Sequence, residues 1–112
     1  MPKTAVVILN WNGKKFLEQF LPGVISNTLS ADTSVILADN GSDDDSVQWV
    51  TRNHPEVQVI RLDGNYGYAG GYNRALSQIE AEYYILLNSD VEVEQGWADK
   101  LVTFMDMHPN VG

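Results

Sequence analysis

Residues 83–94 read Tyr83-Tyr84-Ile85-Leu86-Leu87-Asn88-Ser89-Asp90-Val91-Glu92-Val93-Glu94, a short apolar run that stops at Asn88-Ser89-Asp90 and then alternates valines with carboxylates. Tyr83 to Leu87 has the length and composition of a buried strand, closed on its far side by small polar residues. An acid delivered at the carboxyl end of such a strand lies where open α/β sheets bind ligands, in the crevice outside the strand tips. Asp90 is therefore the first candidate for chemistry. If the extended backbone continues, Asp90, Glu92 and Glu94 point the same way and can gather negative charge around a divalent cation. For Glu92 and Glu94 a solvated face is the simpler account, since acids are mostly exposed.

The same grammar repeats upstream. Ala5 to Leu9 is a continuous apolar, β-branched run, as in a strand covered on both faces, and it ends at the polar tip Asn10-Trp11-Asn12-Gly13. From Lys14 to Ile25, Phe16, Phe20, Leu21, Val24 and Ile25 recur at helical spacing, with Pro22 expected to kink or split the helix. Ser34 to Ala38 reads as a second buried strand, followed by the turn Asp39-Asn40-Gly41-Ser42. Ser42 is a suitable N-cap, which places Asp43, Asp44 and Asp45 in the first turn of a helix running to about Asn53. This capping role accounts for the acid run better than metal binding does, because consecutive acids do not converge on one point of a helix.

A third strand runs from Val57 to Leu62. The glycine-rich stretch Asp63 to Asn73 then feeds a helix expected from Ala69 to Ile79, and a last helix carries Trp97, Leu101, Phe104 and Met105 up to Pro109. Strands alternating with helices imply a doubly wound α/β sheet, mainly parallel, with right-handed crossovers.

Composition narrows the partners. Fifteen acids against seven bases give a net charge of -8, which disfavours a nucleic-acid backbone or an anionic bilayer as a broad surface partner. With no cysteine there is neither a disulfide nor a thiolate metal site. The N-terminus shows no cleavable signal pattern and no apolar run spans a bilayer, so the expected location is the cytoplasm.

Several familiar motifs are absent. The glycines at 64, 67, 70 and 71 follow the third strand and do not fit the dinucleotide G-x-G-x-x-G, and neither a Walker lysine nor G-x-S-x-G occurs. The glycine-rich turn does offer close backbone approach and a helix N-terminus able to bond polar or anionic groups. Bracketing that turn through backbone bonds is an equal alternative role for Asn65 and Asn73. His54 and His108 each precede a proline at an expected helix end, a terminating rather than catalytic context.

Three segments in this order, AVVILNWNG, VILADNGSDDDS, and NYGYAGGYNRAL followed by YYILLNSDVEV, resemble the nucleotide-sugar-binding half of family-2 glycosyltransferases with the GT-A fold, nearest to a rhamnosyltransferase-like branch. The resemblance implies that Asn10 and Asn12 lie against the donor nucleoside and that Asp39 bonds its base or ribose. It likewise places Asn65, Gly70, Gly71 and Asn73 beside the nucleotide. The family's metal-holding D-x-D falls at Asn88-Ser89-Asp90, with Asn in place of the first Asp. Asp90 is then the strong ligand for Mg2+ or Mn2+, while Asn88 and Ser89 belong to the donor site. The implied reaction is transfer of a sugar, with inversion, from a nucleotide-diphosphate sugar to a hydroxyl acceptor such as a glycan or lipid-linked intermediate, in cell-surface polysaccharide or glycoconjugate synthesis.

The catalytic base is expected beyond Gly112, so residues 1–112 are read as the truncated N-terminal part of a larger domain that lacks its acceptor half. The full-length protein is expected in the cytoplasm or peripheral to the inner face of the membrane. A pyrimidine donor, dTDP- or UDP-linked, suits Asp39 as an acceptor of a ring N–H. Two rivals keep the fold without the reaction: a non-catalytic nucleotide-binding module, and an interaction domain that has lost the site. The implied strand order, 3-2-1-4, leaves the fourth strand at an edge, and self-association through that edge is the expected outcome of light scattering; a monodisperse monomer would contradict it.

Overall fold

Apolar and β-branched residues run unbroken through β1 (Thr4–Asn10) and β2 (Thr33–Asp39), and both strands are buried along nearly their whole length. In the computed structural model, which describes residues 4–28, 32–89 and 97, these two are the inner strands of a four-stranded parallel sheet ordered β3-β2-β1-β4. The outer strands are β3 (Gln58–Arg61) and β4 (Tyr83–Asn88). Three helices make the crossovers: α1 (Lys14–Thr28), α2 (Ser46–Asn53) and α3 (Gly67–Leu76).

The two faces of the sheet follow from strand alternation. Val6 and Ile8 of β1, with Val35 and Leu37 of β2, face Leu17, Leu21, Val24 and Ile25 of α1 and Val50 of α2. Ala5, Val7, Ile36, Ala38 and Ile60 point the other way, onto Tyr72 and Ala75 of α3 and onto Ile79. The first two crossovers step outward in one direction, and the third returns across β1 to β4. Right-handed connections put a helix on the opposite face when the direction of travel reverses. The sheet therefore has its switch point between β1 and β4.

Four expectations are corrected. Helix α1 runs through Pro22 without a break. Leu21, Val24 and Ile25 are 1%, 3% and 8% exposed on the core face, whereas Pro22 is exposed, so the carbonyl that loses its partner can turn to water while packing holds the helix. Ser42 is not the cap of α2, which begins only at Ser46, and the three aspartates precede the helix. Helix α3 starts at Gly67, at φ +75°, and ends at Leu76; from there shorter bonds, Gln78 N–H to Ala75 O and Ile79 N–H to Leu76 O, carry Ile79 into the core. Finally, β4 is only partly buried. Ile85 and Leu87 share the α1 side with Val6 and Ile8, but Tyr84 and Leu86 are 41% and 46% exposed, because α3 lies over β1 and β2.

Of the expected last helix, only Trp97 lies within the described residues. It is helical, packs against the α1 side of the core, and its indole N–H donates to Thr28 Oγ1 at 2.7 Å.

Pro22→Ala restores one backbone donor on the exposed side of α1. We expect it to raise stability by roughly 1–2 kcal/mol in urea unfolding, the helix gain less the entropy that proline removes from the unfolded chain. A loss of stability would show that the helix is interrupted there.

Candidate functional site

The carboxyl tips of β1 and β2 meet at Asn10 and Asp39, the last paired residues of their strands, which are 1% and 2% exposed. A carboxylate so deeply desolvated needs donors. Asn10 Nδ2 donates to Asp39 Oδ1 at 3.0 Å, the Ser42 hydroxyl donates to the same oxygen at 2.7 Å, and the Ser42 N–H donates to Oδ2 at 3.0 Å. The other end of the Asn10 amide is different: Oδ1 is buried with no hydrogen-bond partner. It borders Gly13, where an added Cβ would lie 2.6 Å from that oxygen and 3.5 Å from Ser89 Oγ. The missing side chain thus keeps a small space open between the tip of β1 and Ser89, which follows β4.

The turns above this pair interlock. Asn12 adopts φ +50°, a left-handed conformation that asparagine tolerates better than most residues. Its N–H donates to Ser42 Oγ at 2.9 Å, and its Oδ1 accepts from the N–H groups of Asp43 at 2.7 Å and Asp44 at 3.2 Å. Asp44 serves two helix starts at once, accepting from the N–H groups of Lys14 on α1 at 3.3 Å and Ser46 on α2 at 3.0 Å, and from the Ser46 hydroxyl. Helix dipoles favour a negative charge at just these ends. Lys14 pairs with Asp45 at 2.9 Å; their hydrogen bond raises the lysine pKa and lowers that of the aspartate. The acid run is therefore structural, as expected, but by a different route from the expected one.

Asn40 is the residue that sequence reasoning missed. Only 2% exposed, it donates through Nδ2 to Gly67 O at 3.0 Å and Asn65 Oδ1 at 3.3 Å, and accepts at Oδ1 from Tyr66 N–H at 3.0 Å. Its own N–H donates to Asn10 O at 2.8 Å. One side chain thereby pins the glycine-rich turn to the tips of β1 and β2. Gly71 makes the approach possible, since a Cβ there would stand 2.9 Å from both Asn40 Nδ2 and Leu9 Cδ1, and Gly70 fits closely over Tyr66. Asn65 Oδ1 accepts from Gly67 N–H at 2.8 Å, so it brackets the turn as expected. Asn73 is exposed farther along α3, apart from this cluster.

Tyr68 and Tyr72 link α3 to β4. The Tyr72 hydroxyl donates to Leu87 O at 3.0 Å and Tyr68 donates to Asn88 Oδ1 at 3.4 Å, the rings meeting edge to face at 5.0 Å. Burial pushes the Tyr72 phenol up to about 12. Asn10, Asn12, Asp39, Asn65, Gly70, Gly71, Asn88 and Ser89 thus border one end of the sheet, at its switch point.

Asp90, Glu92 and Glu94 lie outside the described residues, as does His108. Among the described residues no group of three or more His, Asp or Glu side chains could hold a metal ion. The oxygens that are present, the orphaned Asn10 Oδ1, Ser89 Oγ and Asn88 Oδ1, are hard neutral donors of the kind that complement a carboxylate around Mg2+ or Mn2+. His54 closes α2, its N–H donating to Val50 O at 2.7 Å, with Glu56 3.6 Å from its ring. Its role is the terminating one expected.

A family model described as Glycosyl transferase family 2 matches residues 5–112. An N-acetylglucosaminyl-diphospho-decaprenol L-rhamnosyltransferase from Mycobacterium tuberculosis is 29% identical over 118 residues, covering 96% of this chain and 38% of that relative. The crystal structure of Staphylococcus aureus TarS 1-349 in complex with UDP-GlcNAc superposes with a TM-score of 0.80 at 26% identity, over 96% of this chain and 32% of that one. A mannosyltransferase from Pyrobaculum calidifontis in complex with GDP-Man and Mn2+ shares the fold, with a TM-score of 0.81 at 19% identity over 93% of this chain and 32% of that one. The chain spans little more than a third of the length of the rhamnosyltransferase.

Two substitutions test the architecture. Asn40→Ala strands the Tyr66 N–H and the Gly67 carbonyl, and we expect it to cost about 2 kcal/mol and to speed hydrogen exchange across residues 64–68. Gly13→Ala forces a methyl group against an amide already fixed by two bonds; it should displace Asn10 and shift its side-chain NH2 resonances, whereas unchanged resonances would mean that the space at Gly13 is not confined.

Proposed function

The chain belongs to glycosyl transferase family 2, and on that premise we propose that residues 1–112 form the donor-binding part of an enzyme that transfers a sugar from a nucleotide-diphosphate sugar to a hydroxyl acceptor. The observation that carries this reading is the convergence of Asn10, Asp39 and Ser89 at the switch point of a GT-A sheet, where open α/β folds hold their ligands. The matched relatives named for such transfers support it.

Each group has a distinct task. Among the described residues Asp39 Oδ2 accepts only from the Ser42 N–H, which leaves it a lone pair for a ring N–H of a pyrimidine base or for a ribose hydroxyl. A dTDP- or UDP-sugar is therefore the favoured donor. Trp11, 53% exposed beside Asn10, offers a ring face for stacking. Gly70 and Gly71 let α3 and the glycine-rich turn seat closely on the strand tips, which brings Asn65 beside the nucleotide, whereas Asn73 stands farther along the helix.

The diphosphate meets a chain of net charge -8 in which Lys14, the lysine beside the interlocked turns, is already paired to Asp45. Asp90, with Asn88 as a weaker oxygen donor, would hold a divalent Mg2+ or Mn2+, which would supply charge neutralisation for the departing diphosphate. Inversion by direct attack of the acceptor hydroxyl needs a carboxylate base, which we assign to the part of the protein outside residues 1–112 together with the acceptor site. The acceptor class is a glycan or lipid-linked intermediate of cell-surface polysaccharide or glycoconjugate synthesis. The setting is the cytoplasm, with the full-length protein peripheral to the inner face of the membrane.

Calorimetric titration of the full natural chain with dTDP, UDP and GDP, each with and without Mn2+, tests the reading. We expect one pyrimidine nucleotide to bind at least about tenfold tighter with Mn2+, and Asp90→Ala to remove that gain, which is about 1.4 kcal/mol or more. Equal affinity in the two conditions, or an Asp90→Ala protein that keeps the full gain, would refute it.

A further inference from the structure

Tyr72 packs in the core on the α3 side of the sheet, and its hydroxyl reaches beyond that packing to the backbone of β1 and β4. The register pairs Leu9 with Asn88, and the backbone of Asn10 is turned to β2, where its carbonyl accepts from Asn40 N–H. Leu9, its neighbour, is therefore turned to β4, and in a parallel ladder its N–H faces the carbonyl of Leu87. The Tyr72 hydroxyl touches both members of this rung, donating to Leu87 O at 3.0 Å and accepting from Leu9 N–H at 3.4 Å. The next residues outward are Asn10 on one strand, and Asn88 and Ser89 on the other.

The reach of Tyr72 is set on both sides. Gly71 seats α3 directly on Leu9 and Asn40, so the helix cannot back away without opening that contact. Tyr68 packs its ring edge to face on Tyr72 and donates to Asn88 Oδ1, whose second lone pair has no partner among the described residues. The phenol is 3% exposed and its desolvation keeps it protonated, hence a donor, at any working pH.

We infer that Tyr72, with Tyr68 packed on it, is a positioning residue of the donor site: its hydroxyl fixes the separation of β1 and β4 where the crevice opens, and so places Asn88-Ser89 opposite Asn10. The inference rests on the donor-site reading. It adds that the glycine-rich helix acts on the metal-binding lip of the crevice as well as on the nucleotide.

Tyr72→Phe keeps the ring and removes the hydroxyl. Nucleotide affinity with and without Mn2+ is to be measured on the full natural chain for the wild type, Tyr72→Phe, Tyr68→Phe and Val50→Ala, the last a core substitution on the opposite face that reports what lost stability alone does. We expect Tyr72→Phe to reduce the Mn2+-dependent gain about tenfold while metal-free affinity stays within about twofold, Tyr68→Phe to reduce it about threefold, and Val50→Ala to leave it unchanged. Tyr72→Phe with the full gain, or Val50→Ala losing as much, overturns the inference while the donor site stands. A wild type with no Mn2+-dependent gain overturns both, and is recognised as failure of the donor-site reading because it appears before any substitution.

Discussion

The buried Asp39 carboxylate sets the terms for the rest of the molecule. An ion at 2% exposure costs several kcal/mol unless its oxygens are met by donors, and these come from both sides of the sheet tip: Asn10 from β1, and the hydroxyl and N–H of Ser42 from the turn after β2. Meeting that requirement ties two strands and a turn into one unit. Ser42 is also bonded by Asn12 N–H, and Asn12 in turn receives the N–H groups of Asp43 and Asp44. Helices α1 and α2 inherit their starting points from this unit, since Asp44 accepts from the first N–H of each. Removal of the carboxylate would strand the Ser42 hydroxyl and N–H and leave Asn10 Nδ2 with only the Ser42 oxygen.

A second constraint comes from connectivity. Two crossovers in one direction put α1 and α2 on one face; the return across β1 puts α3 on the other and leaves β1 and β4 without a connecting turn at their carboxyl ends. Polar residues can occupy strand tips there because no helix has to pack over them. Asn40 closes the remaining gap. By pinning the glycine-rich turn to the β2 tip it makes the walls of the crevice, drawn from residues 10–13, 39–42 and 65–72, a single hydrogen-bonded frame.

Strand identity and parallel polarity were legible because each of four apolar runs ends in polar residues and is separated from the next by a helical period; the spatial order 3-2-1-4 came from the family resemblance. The polar ends hid one residue at each tip. Asn10, Asp39 and Asn88 read as loop, yet their backbones stay in or beside the ladder while their side chains turn to each other or to α3. Pro22 and Ser42 misled for a related reason. A proline signals a break and a serine before three aspartates signals a cap, both rules of local sequence. Core packing of Leu21 and Val24 outweighed the first, and the bond from Asn12, thirty positions away, captured the serine that the second required. Asn40 was invisible for the same cause, since its partners stand 25 to 27 positions downstream and its neighbour Gly41 suggested only a turn.

The charge of the chain explains why so much structure is spent on neutral groups. A surface of net charge -8 repels a diphosphate at long range, although at physiological salt that repulsion is screened beyond about 8 Å. What matters is the last few ångströms, where the strand tips carry the amides of Asn10, Asn12 and Asn40 and the hydroxyl of Ser42, while Asp39 and Asp44 are met by donors and Asp45 is paired. Neutral donors fixed in advance bind an anion without reorganisation, and they leave the net charge to be balanced by whatever cation arrives with the ligand. Among the described residues, the one polar atom of the Asn10–Asp39–Ser42 cluster left unpaired is the oxygen of Asn10. An oxygen acceptor with no partner repels an anion and attracts a cation or a hydroxyl proton, so it favours a ligand that brings one of these.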